Sequence, residues 1–253
     1  MTNPCWHNGS VPKNYFDERI AKGYDTRWSN LFEPDVLDPA VDFLAELAGA
    51  GPALELGIGT GRIALPLSQR GIRVQGIELS PATVEQLRAK PGSEDIDVAI
   101  GDFATTRVEG AFKLAYLVRN TIANLTTQDA QVDCFRNVAS HLERGGCFVI
   151  ELWVPALRRL PPGETYRAFA VTPTHLGFED YDIATQISHS HHYWMVDGKV
   201  ETFSAPFRYV WPSELDLMAR IAGMRLRERW SSWKRDPFTS ESQSHISVWE
   251  KTV

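Results

Sequence analysis

The stretch from Ala53 to Gly61, Ala-Leu-Glu-Leu-Gly-Ile-Gly-Thr-Gly, constrains this chain more than any other. A short apolar run ends on glycines at alternate positions, Gly57, Gly59 and Gly61, and a helix is expected from Arg62 to Arg70. Glycines let backbone N–H groups approach a ligand, and a helix start leaves N–H donors without intrahelical partners. A strand delivered into such a turn makes a nucleotide-sized site. Pro66 inside the expected helix removes one backbone donor.

The surrounding pattern says what kind of sheet holds the turn. Strands are expected over Leu54–Gly57, Arg73–Glu78, Ile96–Ile100, Phe112–Val118 and Cys147–Trp153. Helices are expected to start at Asp38-Pro39, at Ser80-Pro81 and at Thr126 as a cap, the last ending at Gly145-Gly146. This alternation predicts an α/β fold with a doubly wound, Rossmann-like parallel sheet. Ligands of such sheets bind outside the carboxyl ends of the strands, where Glu78, Asp102, Asn120, Glu151 and the glycine turn all fall. After Pro155 the pattern turns β-rich, over Ile183–Met195 and Val200–Val210, with the hairpin signal Asp197-Gly198 between. Ser213 is expected to cap a further helix with Asp216 as its capping-box acid, and Met224–Arg229 and His245–Glu250 read as closing strands. The expected division is an N-terminal arm or lid at 1–36, a core at 37–155 and 212–253, and an inserted antiparallel layer at 156–211.

Charge and composition exclude several partners. The 253 residues carry a net charge of −6, with no basic stripe for nucleic acid. No apolar run reaches the ~18 residues of a membrane span, and Met1–Asn14 lacks the apolar centre of a secretion signal. Cys5, Cys134 and Cys147 lack zinc-site spacing, so no metal and a reducing, cytoplasmic setting are expected. A homodimer is compatible with these features.

The nucleotide is narrowed by spacing. G-x-G-x-G is one residue shorter than the dinucleotide fingerprint G-x-G-x-x-G, and no Gly-Lys-Ser/Thr follows. Glu78, 17 residues beyond Gly61, suits two ribose hydroxyls. Asp102 suits an adenine amino group, with Phe103 packing on the ring. Acids around the ligand argue against a phosphate chain.

Taken as a set, Glu55-Leu56-Gly57-Ile58-Gly59-Thr60-Gly61, Glu78, Gly101-Asp102-Phe103, Leu117-Val118-Arg119-Asn120-Thr121 and Leu142–Phe148 resemble the motifs of class I S-adenosylmethionine-dependent methyltransferases, over residues 20–155. The resemblance implies S-adenosyl-L-methionine as cofactor and a seven-stranded, mostly parallel sheet whose last strand is antiparallel. The hairpin and terminal strands are similar to the small-molecule branch that includes antibiotic-sugar N-methyltransferases, where an added antiparallel β layer roofs the active site. Position by position, it implies Gly57, Gly59 and Gly61 beneath the methionine part, with Ile58, Thr60, Leu79, Val118 and Asn120 around the cofactor. Glu78 would hold the ribose, Asp102 and Phe103 the adenine. Tyr24 would close over the cofactor, with Arg62 near its carboxylate. Glu55 is either a buried acid bonding turn amides or a cofactor contact.

The reaction so implied moves a methyl group to a nitrogen or oxygen of a small molecule. An amine needs little beyond proton removal, whereas a hydroxyl calls for a base. On a strand, His189, His191 and Tyr193 share one face, and His192 and Trp194 the other. His191 and His192 are the candidate bases or substrate contacts. Tyr193, Arg208 and Trp153 are further candidates for touching the substrate. No Asn/Asp-Pro-Pro-Tyr/Phe motif follows the fourth strand, which with the acidic charge disfavours nucleic acid. Two rivals stand. An NAD-dependent oxidoreductase would also use Glu78, but the glycine spacing and Asp102 oppose it. A non-catalytic S-adenosylmethionine-binding protein would keep the fold without methyl transfer.

Overall fold

The computed structural model describes residues 13–252, so Cys5 and the expectations for residues 1–12 lie outside the described part. One sheet contains β1 (Ala53–Leu56), β2 (Val74–Glu78), β3 (Asp97–Ile100), β4 (Phe112–Leu117), β5 (Leu142–Trp153), β10 (Met224–Trp230) and β11 (Ser244–Lys251). Its order is β10-β11-β5-β4-β1-β2-β3, parallel from β3 to β5, with β11 antiparallel to both β5 and β10. This is the seven-stranded, mostly parallel sheet that the motifs imply.

Both faces of the sheet are covered, which is why its central strands are apolar on every residue but a few. Leu54 and Leu56 of β1, Ala115 and Leu117 of β4, and Phe148 and Ile150 of β5 pack on one side. There they meet α6 (Gln128–His141) and α7 (Pro212–Ile221) through Phe135, Val138, Leu215 and Met218. Leu114, Tyr116 and Val149 face the other side, against α3 (Pro34–Ala48) and α4 (Ala64–Gln69) through Val41, Leu44, Ala64 and Leu67. The helix α5 (Pro81–Arg88) opens as expected, its Ser80 hydroxyl accepting from the Thr83 N–H.

A second sheet, antiparallel, orders β6 (Tyr166–Val171), β7 (His175–Asp182), β8 (Ile187–Val196) and β9 (Lys199–Arg208) in sequence. Asp197 and Gly198 join β8 to β9 with φ of 49° and 73°, the doubly left-handed pair that a tight hairpin needs. The N-terminal arm, α1 (Glu18–Lys22), α2 (Tyr24–Arg27) and a 3-10 turn at Ser29–Phe32, packs Ile20 against Trp194, Phe203 and Ala205 of this layer. Among the described residues no helix is long and apolar enough to cross a membrane.

Several boundaries differ from expectation. The helix expected from Asp38-Pro39 begins at Pro34, which takes its first position and leaves Pro39 inside it. The helix expected from Arg62 begins at Ala64, so Pro66 falls in the first turn, where its missing N–H has no helical partner to lose. Thr127 rather than Thr126 caps α6, accepting from the Ala130 N–H, and the helix stops at His141, before the glycines. Pro212 takes the first position of α7, with Trp211 before it. Asp216 is therefore no capping acid: it accepts from Arg229 at 2.6 Å and from the Trp249 indole at 2.9 Å. Strands β6 and β7 are absent from the sequence expectation, and Ile183–Gln186 is the turn into β8 rather than strand. The acids Glu179, Asp180 and Asp182 hide the period-two pattern of β7, and β6 is a largely exposed edge strand with little apolar alternation to reveal it.

Candidate active site

The glycine turn leaves β1 with φ of 67° at Gly57, 58° at Gly59 and 79° at Gly61, all in the left-handed region. The three differ in what surrounds them. A Cβ at Gly57 would lie 2.7 Å from the Thr121 methyl, and one at Gly61 would run into Leu87. Beside Gly59 nothing lies closer than the Gly57 carbonyl at 3.8 Å, so this glycine faces open space. Glu78, at the end of β2, accepts from the Gly59 N–H at 3.0 Å and from the Ser80 N–H at 2.9 Å, one bond to each carboxylate oxygen. Burial pushes its pKa up, and those N–H donors pull it back. Each oxygen keeps an acceptor site for a hydroxyl. Asp102 accepts from the Ala104 N–H at 2.8 Å through one oxygen. An open backbone cradle at Gly59 beside an acid with spare acceptor capacity fits an adenosyl sulfonium ligand.

Other expected contacts move inward. Glu55 is fully buried and accepts from the Tyr116 hydroxyl at 2.9 Å. Burial pushes its carboxyl up to about 8, so it is a structural acid beneath the turn rather than a cofactor contact. Phe103 is 7% exposed and belongs to the core under β1 and β4. Ile58 packs over Gly76, and Val118 is buried with it, so only their backbones remain available to a ligand. Thr60 is buried, its hydroxyl donating to Asp25 at 2.6 Å. Leu79 sits half-buried between Glu78 and Ser80. Arg62 donates to the Leu31 carbonyl, which ties it to the arm.

That arm is fastened over the turn. Asp25 also pairs with Lys90 at 2.5 Å, and the Ser80 hydroxyl donates to the Phe16 carbonyl at 2.7 Å. Tyr24 lies against Trp28, ring centroids 4.5 Å apart, and both rings line a cavity of about 750 Å³ between the two sheets. Asn120 reaches the same cavity from the end of β4, at φ 59°, its side-chain oxygen accepting from the Trp153 N–H at 2.6 Å. Trp153, Phe203 and Tyr209 continue the wall. Thr121 lines it too, and since its methyl lies over Gly57, the cavity adjoins the turn.

The β8 histidines separate by face. Ser188, Ser190 and His192 look into the cavity. His189 and His191 point the other way, both bonded to the Asp180 carboxylate at 3.0 Å. His191 is therefore not a base for the cavity, and Tyr193, stacked on Phe178 of that outer face, is not a substrate contact. Arg208 is 4% exposed and donates to Gln131, Gln186 and Glu214, so it is an internal tie rather than a substrate anchor. His192 stays at the site with its pKa lowered to about 4, chiefly by burial and then by His175 and Arg27. Sequence reasoning missed Thr121, Ser190, His175 and Glu179 as cavity residues; for Ser190 the signal was present, two positions from His192 on one strand face.

Comparison with known proteins gives consistent results. A family model described as "Methyltransferase domain" matches residues 53–146. The CcbJ methyltransferase of Streptomyces caelestis is 34% identical over 96% of this chain and 100% of that one, with a TM-score of 0.86. The cypemycin N-terminal methyltransferase of a Streptomyces species is 27% identical over 93% of this chain and 97% of its own length. S-adenosylmethionine-bound CalS10, an amino pentose methyltransferase of Micromonospora echinaspora, shares the fold at a TM-score of 0.66 and 20% identity, covering 97% of this chain and 100% of that one.

Proposed function

Because the chain belongs to the class I S-adenosylmethionine-dependent methyltransferases, with S-adenosyl-L-methionine as cofactor, we propose that it methylates an amine nitrogen of a small natural-product molecule. The observation that carries this proposal is the aromatic-walled cavity of about 750 Å³ that adjoins the glycine turn. Its volume suits a small molecule rather than a polymer. The relative named as an N-terminal methyltransferase, acting where an amine stands, supports nitrogen over oxygen. So does the cavity itself. His192 is a half-buried imidazole of its wall, and with a pKa near 4 it is too weak a base to hold a proton taken from a hydroxyl acceptor. An amine asks less, since loss of its ammonium proton frees the attacking lone pair.

Bound S-adenosylmethionine supplies the electrophilic methyl group. Gly57, Gly59 and Gly61 place backbone against its methionine part, Glu78 takes the ribose hydroxyls and Asp102 the adenine amine. Tyr24 and Trp28 close the arm over the junction of turn and cavity and keep water out, which holds donor and acceptor in line. In this arrangement residues 37–155 and 212–253 hold the cofactor, residues 156–211 cover the acceptor, and residues 1–36 act as the lid. The reading keeps a cytoplasmic setting and a homodimer as the assembly it allows. The family membership removes the nicotinamide-dependent rival.

The test is methyl transfer from isotopically labelled S-adenosylmethionine to matched panels of amino sugars, secondary amines and the corresponding alcohols, read by mass spectrometry. N-methyl products are expected. O-methyl products alone would overturn the nitrogen assignment, and no product from any panel, with the cofactor bound, would favour a non-catalytic binding protein.

A further inference from the structure

We propose that Ser190, His192 and His175 form a proton outlet, leading the ammonium proton of the acceptor from the cavity to the half-exposed ring of His175. This rests on the amine assignment above. The Ser190 hydroxyl lies 3.1 Å from His192 Nε2, and His192 Nδ1 lies 3.0 Å from His175 Nε2. The two imidazole planes are parallel within 3°, with centroids 5.2 Å and facing nitrogens 3.0 Å apart, a spacing that suits an N–H···N bond. All three residues line the cavity: Ser190 and His192 from β8, His175 from β7.

The neighbours make this chain a conduit rather than a store of charge. Gly177 stands directly opposite His192 across the strands. A Cβ there would run into the Phe169 ring, whose centroid lies 5.1 Å from that of His192, so the glycine makes room for Phe169 to cover the imidazole. Trp194 stacks on both rings, 4.8 Å from His192 and 5.3 Å from His175. The charged groups around His192 are Arg27 of α2, paired with Glu201 at 2.9 Å, His191 on the far face of β8, and Glu179, opposite Ser190 on β7. Burial lowers the pKa of both rings. Two orderings satisfy both contacts with neutral rings, and the one that leads a proton outward has Ser190 O–H donating to His192 Nε2, His192 Nδ1–H donating to His175 Nε2, and His175 keeping its proton on Nδ1.

The proton balance is complete along this line. The acceptor's N–H bond breaks, its electron pair stays on nitrogen, and the proton goes to Ser190 Oγ as the serine's own proton moves to His192 Nε2. His192 Nδ1 passes its proton to His175 Nε2, and His175 Nδ1 releases one to water. No imidazolium has to persist, which suits rings too weakly basic to hold one. Once product leaves and the cavity fills with water, a return hop from His175 through His192 to Ser190 takes one proton from solvent at His175 Nδ1, passes one from Ser190 Oγ to that cavity water and restores the starting order.

Two measurements on the full chain test this. The first is long-range 1H–15N spectroscopy of histidine-labelled protein saturated with S-adenosylhomocysteine. His192 is expected neutral above pH 5 as the Nδ1–H tautomer, with S190A shifting its Nε2 signal and H175F its Nδ1 signal. An Nε2–H tautomer, or indifference to both substitutions, would overturn the chain. The second is the pH profile of amine methylation. H175F and S190A are expected to lower kcat at least tenfold at pH 7, with the loss shrinking as the pH approaches the amine's own pKa and the acceptor arrives uncharged; S-adenosylhomocysteine affinity should stay within twofold. Methylation by H175F with an unchanged profile would overturn the outlet while leaving the amine assignment intact. Failure of the unsubstituted protein to methylate any amine would overturn both.

Discussion

At the scale of single residues, the site depends on which side chains face a ligand and which only hold the backbone. Glu78, at the end of β2, keeps acceptor sites to spare beside the Gly59 N–H, and Glu55, opposite Gly76 on the neighbouring strand β1, is sealed beneath the turn. E78A is expected to weaken S-adenosylhomocysteine binding about 10–100-fold, the loss of hydrogen bonds to a charged group, as read by calorimetry. E55Q should act on stability instead. The folded pKa of Glu55 lies near 8, above its ordinary carboxyl value, so the folded state holds a proton that the unfolded state releases. Stability from this group is full below the unfolded pKa and is lost as pH rises through the range up to about 8. E55Q should therefore flatten the dependence of Tm on pH between about 5 and 8. An unchanged slope in chemical or thermal unfolding would refute the assignment. Both acids were visible in the sequence as motif residues; their different roles come from Tyr116, a contact 61 positions away.

Among the elements, the same distinction governs α7 and the closing strands. Asp216 looked like a local capping acid from its spacing, yet Pro212 starts the helix one residue before Ser213 and turns Asp216 toward the sheet. There it ties α7 to Arg229 of β10 and Trp249 of β11. D216A is expected to cost about 1–3 kcal/mol of folding stability, which urea unfolding would measure, while S213A should cost under about 0.5 kcal/mol. The parallel strands were legible because each carries a short, mostly apolar run, broken by few polar residues such as Glu55, Gln75 and Lys113, and bounded by glycine, proline or a cap. The hairpin of β8 and β9 was legible through Asp197-Gly198. β6 and β7 were not, because an exposed edge strand and a strand studded with acids take their stability from cross-strand partners such as Phe178 with His191 and Tyr193, which local pattern does not contain.

For the whole molecule, the arm, the core sheet and the second sheet meet at one place. Asp25 bonds Thr60 beside the glycine turn and Lys90 beyond α5, and Arg27 joins the same arm to Glu201 of β9. D25A should loosen this closure without unfolding the core. Hydrogen exchange is expected to accelerate over residues 17–32, with S-adenosylhomocysteine binding weakened about 3–10-fold and the protection of β4 and β5 unchanged. Equal acceleration throughout the chain would mean that the arm is a structural part of the core and not a closure.

The sequence by itself determined the doubly wound sheet and the places of Gly59, Glu78 and Asp102 at its strand ends, because these depend on local spacing: a glycine turn after an apolar strand and acids at strand ends; the cofactor came from the resemblance of these motifs to a methyltransferase family. Only the tertiary structure decided which candidates reach the cavity. His191 and His192 are adjacent, chemically identical and equally eligible in the sequence. Strand pleating puts them on opposite faces, but which face is roofed follows from how the second sheet lies over the first. That placement gives His191 to Asp180 and surrounds His192 with Phe169, Trp194, Ser190 and His175. Arg208 likewise became an internal tie when α6 and α7 brought Gln131 and Glu214 to it. Burial and partnership across long sequence separations set these roles, and no local pattern contains them.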